Sequence, residues 1–320
     1  MQTPRSGPSG AAPPDPEPSY LALHRRGELA RRAASALAAL AACRLCPRGC
    51  GADRLRGEHG TCETGRHARV ASHGPHHGEE DVLRGRGGSG TIFFAQCNLH
   101  CVFCQNHDIS HTACGTPLPP GRLAEVMLEL QDLGCHNVNL VTPSHVVAQI
   151  LEALPRAVDG GLRLPLVYNT SGYDTVETLR LLEGVVDVYL ADFKLWDPDA
   201  ARHYLHAQDY PEVARAALRE MHRQVGALSL DERGLARHGV LVRHLVMPGG
   251  VAGTRDVAGF LARELSPDTY LNLMAQYHPA GEVTGGAFPG IARCATREEI
   301  AAAREDAGAA GLHRFARAGT

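Results

Sequence analysis

Three cysteines, Cys97, Cys101 and Cys104, stand at C-x3-C-x2-C spacing immediately after a β-rich run, Thr91–Gln96. Soft thiolate ligands crowded on one loop select a soft metal centre. Iron–sulfur clusters are held by cysteine thiolates, usually four of them. A local set of three leaves one iron of a four-iron cluster without a protein ligand. An open iron can bind a small molecule, so this spacing points to chemistry more than to scaffolding. The competing reading is a structural zinc knuckle that borrows a fourth ligand from elsewhere, although zinc sites more often pair C-x2-C with a second, distant pair.

A second group lies upstream: Cys43, Cys46, Cys50 and Cys62, with Pro47, Gly49, Gly51, Gly57 and Gly60 between them for tight turns. This stretch has too little apolar content to fold alone, and a metal would be its core. Structural zinc and a second iron–sulfur cluster both fit. Four cysteines saturate either, which points to a structural or electron-relay role. His73, His76 and His77 followed by Glu79, Glu80 and Asp81 form a His/acid cluster, expected as a solvated loop sooner than as a metal site. Of the 32 basic residues, only Lys194 is lysine. Against such a bias, a surviving lysine suggests a place where a planar guanidinium would not serve, the alternative being chance survival at the surface.

The chain of 320 residues is long enough for one barrel-sized domain or two smaller ones, and its net charge of −3 offers no basic field for nucleic acid or an anionic membrane. Residues 1–18 lack an apolar signal-peptide core and read as a disordered leader. No run of 18 apolar residues occurs, so no membrane span is expected. Ten cysteines in two tight groups, with Cys114, Cys135 and Cys294 left over, read as metal ligands in a reducing compartment, the cytoplasm, and not as disulfides.

These groups must be positioned by something. Residues 19–42 read as a helix with a weak spot at Gly27, and residues 66–90 as a linker between the two cysteine groups. From residue 91 strand and helix alternate. Strands are expected at Thr91–Gln96, Asn137–Thr142, Leu164–Asn169, Val185–Asp192, Val240–Met247 and Thr269–Tyr277, and helices over about 121–133, 144–158, 174–183, 198–226, 254–265 and 297–310. Six βα units argue an α/β fold with a parallel sheet, closed or partly closed into a barrel. The expected organisation is a leader (1–18), an N-terminal helix with the four-cysteine module (19–85), and the barrel with its C-terminal helix (86–320). Barrel chemistry sits at the C-terminal ends of strands. Those ends here carry the cysteine loop, Thr142-Pro143-Ser144-His145, Asn169-Thr170-Ser171, Asp192-Phe193-Lys194, Arg243 and His278.

At Cys97, Cys101 and Cys104, with Phe103 as the aromatic before the last cysteine, the sequence resembles the radical S-adenosylmethionine (SAM) superfamily. The stretches Val188–Lys194 and Val242–Gly249 resemble the D-x-K and R-x-x-x-x-P-G segments of activating enzymes for pyruvate formate-lyase and other glycyl radical enzymes. CxLCPRxC, GSGTIFF, CVFCQN, NLVTPSH, VYNTSGYD, DVYLADFK, LVRHLVMPG and NLMAQYHP, spanning roughly residues 43–280, are similar to an uncharacterised PflX-like branch. The resemblance implies a partial (β/α)6 barrel and a [4Fe–4S] cluster on the three cysteines. It also implies SAM chelated by the open iron and cleaved by one electron to a hydrogen-abstracting 5′-deoxyadenosyl radical. Asp192, Lys194, Arg243 and His278 map onto residues that approach SAM; Thr142, Ser144 and Asn169 join them as strand-end candidates. The activases' Gly-Gly-Glu segment is replaced by Val141–His145, where Pro143 has no N–H to donate, leaving Thr142, Ser144 and His145 as side-chain substitutes. Implied partners are SAM, an electron donor such as flavodoxin or ferredoxin, and a substrate: a glycyl radical enzyme, or another protein, an RNA or a metabolite. A non-enzymatic iron–sulfur or zinc carrier is the reading from a different class.

Overall fold

A computed structural model describes residues 17–317. The leader expected over 1–18 lies outside the described residues except for Glu17 and Pro18. The strands are β1 (Ala68–His76), β2 (Ser89–Phe94), β3 (Thr116–Leu118), β4 (Val138–Val141), β5 (Leu166–Thr170), β6 (Val188–Asp192), β7 (Ser229–Leu230), β8 (Ala236–Leu245), β9 (Tyr270–Met274) and β10 (Arg314–Phe315). The helices are α1 (Tyr20–Arg25), α2 (Glu28–Ala38), α3 (Asp81–Arg84), α4 (His107–Ser110), α5 (Pro120–Asp132), α6 (Val147–Asp159), α7 (Val176–Leu181), α8 (Pro198–Leu205), α9 (Tyr210–Val225), α10 (Thr254–Phe260) and α11 (Arg297–Ala309).

The protein is α/β with a mostly parallel sheet in the order β10-β9-β8-β6-β5-β4-β2-β1-β3, and β7 pairs with β8. The six expected strands, β2, β4, β5, β6, β8 and β9, are all present, mutually parallel and adjacent in chain order. Side chains alternate between the two faces of a strand. The outer face, with Leu140, Leu166, Tyr168, Tyr189, Ala191 and Val242, joins the helices in one core. The inner face begins apolar, with Val167, Val188, Leu190 and Leu241 packed on Val82, Leu83 and Leu228. Two residues further along β5, β6, β8 and β9 it turns polar, with Asn169, Asp192, Arg243 and Asn272. The apolar layer fills the base, and the polar layer lies at the strands' C-terminal ends. The sheet curls strongly. Asn272 on β9 donates to Glu80, just beyond β1, although five strands separate the two along the sheet (2.8 Å).

Three expectations change. The helix read over 19–42 is two helices, because Gly27 adopts φ +69° between α1 and α2. The helix read over 198–226 breaks at His206, which has φ +51°. Residues 66–90 are not merely a linker: β1 pairs antiparallel with β2 and β3. Only its first residues alternate in burial, and His, Gly and Pro interrupt the rest, so its hydrophobic pattern is short. Residues 85 and 86, the expected boundary, lie in the connection between β1 and β2, just after α3. The N-terminal segment packs on the same body: α2 lies on α6, and Tyr20 Oη donates to Leu164 O (2.8 Å). The last helix starts as expected at Thr296, with a complete capping box to Glu299. No described helix is long and apolar enough to cross a membrane.

Candidate metal and cofactor site

The loop carrying Cys97, Cys101 and Cys104 leaves β2 at the end where the polar layer lies. Two of its residues, Gln96 and His100, hold left-handed φ of 68° and 60°. Each immediately precedes a cysteine of the loop. Glu63, Thr142 and His206 are the remaining non-glycine residues with positive φ among the described residues. Glu63 follows Cys62, Thr142 ends β4, and the His206 carbonyl accepts from Arg48 in the four-cysteine segment (2.6 Å). Such backbone costs on the order of 1–3 kcal/mol per residue and persists where the surroundings impose it, commonly at functional sites. Here it is confined to one end of the sheet.

Burial pushes Cys97 and Cys101 upward, and each is raised further by the neighbouring thiols and lowered by the Lys194 ammonium. Leu99 N–H donates to Cys97 Sγ (3.3 Å), and Ser110 Oγ lies 3.1 Å from Cys104 Sγ. Buried thiols of this kind are inert unless a cation holds them as thiolates. A loop presenting three sulfurs, with a backbone donor on one and a nearby ammonium, fits a cluster with one open iron. Phe103 is buried against Tyr277 (ring centroids 6.2 Å) and anchors the loop from behind.

Beside the loop lies a charged network. Asp192 Oδ2 accepts from Lys194 Nζ (2.6 Å) and Oδ1 from Arg243 Nε (2.9 Å), while Arg243 Nη2 donates to Asn169 Oδ1 (2.5 Å). Burial alone would depress Lys194; Asp192 and Cys101 overcome it and hold the ammonium above its ordinary value. Burial would raise Asp192, but Lys194 and Arg243 pull it below the usual carboxylate range. Tyr210 Oη fastens the strand ends: it accepts from Lys194 N–H (2.8 Å) and donates to Ser171 O (2.9 Å). Gly172 lets the loops after β5 and β6 meet, since a Cβ there would lie 2.4 Å from Asp192 O.

Asn169, Asp192, Lys194 and Arg243 are thus brought together beside the cysteine loop. Thr142 is bound through its N–H to Asn169 O (2.9 Å). Ser144 lies deeper, 3.0 Å from Thr170 Oγ1, which donates to the fully buried Asp174; Tyr168 Oη donates to the same carboxylate (2.8 Å). His145 does not face the site: its Nε2 meets Ala95 O (3.1 Å) and its carbonyl accepts from Arg54. His278 is an exposed rim residue whose Nδ1 lies 3.4 Å from Gln105, outside the Asp192 network.

The His/acid cluster is divided. Glu79 is no solvated loop residue: its side chain is 7% exposed and lies 3.6 Å from Arg243 and 3.5 Å from His76. Glu79, Glu80, Arg243 and Asn272 line a cavity of about 730 Å³. Sequence reasoning missed Glu79, Asn272 and Tyr210. Asn272 was accessible in principle, being two residues past inward-facing Tyr270 on an expected strand.

The four-cysteine segment packs directly against the cysteine loop. Cys43, Cys46 and Cys62 are buried, and Cys50 is exposed beside Gly60, where a Cβ would come within 2.2 Å of its sulfur. Burial pushes Cys46 up to about 12 against a hydrogen bond from the Asn98 side chain. Asn98 Oδ1 also lies 4.0 Å from Cys97 Sγ, so one amide stands between the two cysteine groups. Arg48 donates to Asn98 O (2.7 Å) and Leu99 O (2.9 Å), and His100 Nε2 lies 2.9 Å from Thr61 O. Arg54 is 1% exposed; its partners are the carbonyls of Gly65 and His145, with Cys43 Sγ 3.6 Å away. All ten cysteines are unpaired.

Two buried histidines give the fold a pH signature. Burial pushes His145 down to about 3 and His244 down to about 4. A chain that binds these protons only when unfolded is stabilised fully above the ordinary value of 6.5 and loses that stability as pH falls below it. Each histidine should contribute about 1.4 kcal/mol per pH unit below that point. Urea unfolding of the reduced protein between pH 7.5 and 5 checks this: the steep acid-side loss should flatten in His145→Gln/His244→Gln, and an unchanged slope would refute the assignment.

Fold and site together define an α/β protein with two adjoining cysteine groups and a partly buried charge network at the C-terminal ends of a curled parallel sheet. The chain is 33% identical over 273 residues to an uncharacterized protein of Methanocaldococcus jannaschii, covering 82% of this chain and 73% of that one, and belongs to the same family. No protein-family profile matches it.

Proposed function

We propose that the protein is a radical SAM iron–sulfur enzyme of the cytoplasm, built on a partial (β/α)6 barrel. The observation that carries this reading is the placement of Cys97, Cys101 and Cys104 at the strand ends, with Lys194 electrostatically coupled to Cys97 and Cys101 and ion-paired to Asp192. A [4Fe–4S] cluster on those cysteines would supply one electron to SAM bound at its open iron, cleaving it to methionine and a 5′-deoxyadenosyl radical. This chain's residues would do the rest. Lys194 and Arg243 offer cationic donors to the carboxylate of the bound amino acid, and Asp192 keeps Lys194 charged while holding Arg243 in place. Asn169 orients Arg243, and Tyr210 fixes the loops that aim these groups. Glu79 and Glu80 line the cavity in which the substrate would be held.

Activation of a glycyl radical enzyme is one outcome of such a site, and modification of another protein, an RNA or a metabolite is the alternative. A metal carrier needs no such Asp–Lys–Arg network, which disfavours that class. Anaerobically reconstituted protein, reduced with dithionite or a flavodoxin, should show a cluster EPR signal that changes on adding SAM, and should form 5′-deoxyadenosine. Cys101→Ala should abolish both. A signal indifferent to SAM, or turnover retained in Cys101→Ala, would overturn the proposal.

The second cysteine group, Cys43, Cys46, Cys50 and Cys62, would hold a separate zinc or iron–sulfur centre. Changing all four to Ser should lower total metal while leaving SAM-responsive EPR from the first group. Loss of both signals in folded protein would show that the two groups are not independent, and metal analysis of the wild type names the ion.

A further inference from the structure

We infer that His107, His111 and Glu282 form a third metal site, one that takes a divalent transition metal of the zinc or ferrous class. One ligand atom from each lies within 4.8 Å of the other two, and among the described residues this is the group with that spacing. His107 and His111 are four residues apart around the short turn of α4, the spacing that puts two imidazoles on one side of a helix. Their rings lie 4.2 Å apart and nearly parallel. Glu282 arrives from the loop after β9, fixed by its N–H donating to Val102 O (2.9 Å). Gly281 lets that loop come close, because a Cβ there would meet Val102 O at 2.8 Å and His107 at 3.0 Å.

The hydrogen bonding of His111 prepares it as a ligand. Ser110 Oγ lies 2.7 Å from His111 Nδ1. With the proton on Nδ1 donated to that oxygen, Nε2 carries the free lone pair. Nε2 is buried and has no partner. A buried acceptor left unmatched is costly unless something binds it. A metal ligand of this kind has its other ring nitrogen held by an outer hydrogen bond, which sets the tautomer. The His107 ring stacks on His111, and its broad χ2 torsion leaves it free to aim a lone pair at the same ion. Two imidazoles and one carboxylate with open positions suit zinc or ferrous iron. The same Ser110 hydroxyl reaches Cys104 Sγ (3.1 Å), so the site adjoins the cysteine loop while sharing no ligand with it.

Cobalt(II) is the probe, added to protein whose cysteine centres have already been reconstituted. One further cobalt per chain should bind, with visible ligand-field bands and no sulfur-to-cobalt charge transfer. His111→Ala and Glu282→Gln should each weaken it by roughly tenfold or more, and Ser110→Ala by roughly tenfold, with iron and sulfide content unchanged. Glu282 is exposed, so Glu282→Gln decides the matter if His111→Ala fails to fold. Cys101→Ala should leave cobalt binding intact, which separates this site from the radical SAM reading. Absence of a further cobalt, a thiolate charge-transfer band, or unchanged affinity in Glu282→Gln would overturn the inference.

Discussion

Asp192→Ala should destabilise the protein by about 3–5 kcal/mol and eliminate SAM binding. Asp192 is the shared anion of two cations whose side chains are about four-fifths buried, and removing one partner of such a pair leaves uncompensated charge. Here Lys194 loses its carboxylate partner, and Arg243 keeps only Asn169 and the more distant Glu79, 3.6 Å away. The sign of the pH dependence follows from the lowered Asp192 carboxyl. Its contribution is present above the ordinary carboxylate value near 3.9 and is lost as pH falls through its lower folded value. Urea unfolding and equilibrium dialysis of SAM measure the two effects, and near-wild-type values in both would show that the network is idle. Lys194→Arg is the gentler probe: it keeps the charge and changes the donor geometry, so SAM affinity should fall by ~1–3 kcal/mol with little change in fold.

Arg54→Met should strip the metal from the four-cysteine segment. A guanidinium cannot shed its charge, and Arg54 is buried with carbonyl oxygens and the Cys43 sulfur for company; no carboxylate pairs with it among the described residues. Its stabilising influence on the Cys62 thiolate points the same way. A metal held by four thiolates is a net anion, and that anion is the counter-charge Arg54 lacks. Removing the cation should cost about 3–5 kcal/mol, a hundredfold or more in metal retention at ~1.4 kcal/mol per tenfold. Competition with a chelator, followed by metal analysis, reads this directly. If Arg54→Met holds its metal as tightly as the wild type, the segment is neutral and its cysteines are not all ligands.

Most of the architecture was legible because the six core strands are short apolar runs separated by helical periodicity. Their polar ends stood out for the same reason: Asn169, Asp192 and Arg243 each follow a run of Val, Leu, Tyr or Ala. The Asp192–Lys194 pair was readable from i, i+2 spacing. What escaped was set by long-range packing. Glu79 looked like one acid in a hydrophilic stretch, and only the curl of the sheet brings it to Arg243. His278 follows a strand as the others do, yet Gln276 and His278 run out along the rim, and no periodicity reports that turn. His107 and His111 were hidden because their third partner lies in a loop remote in sequence. Arg54 was one arginine among many, and nothing in its neighbours announced burial.

The anchoring of the four-cysteine segment has a consequence during synthesis. Arg48 binds the carbonyl of His206, 158 residues later, and Leu45 O accepts from Thr178, 133 residues later. Chains grow at about 5–20 residues per second, so Cys43, Cys46, Cys50 and Cys62 leave the ribosome roughly 8–30 seconds before the segments that cover them. Over that interval the thiols are bare. Over those seconds only a reducing environment keeps them as free thiols, and the metal proposed for this segment has access to all four before the covering segments exist.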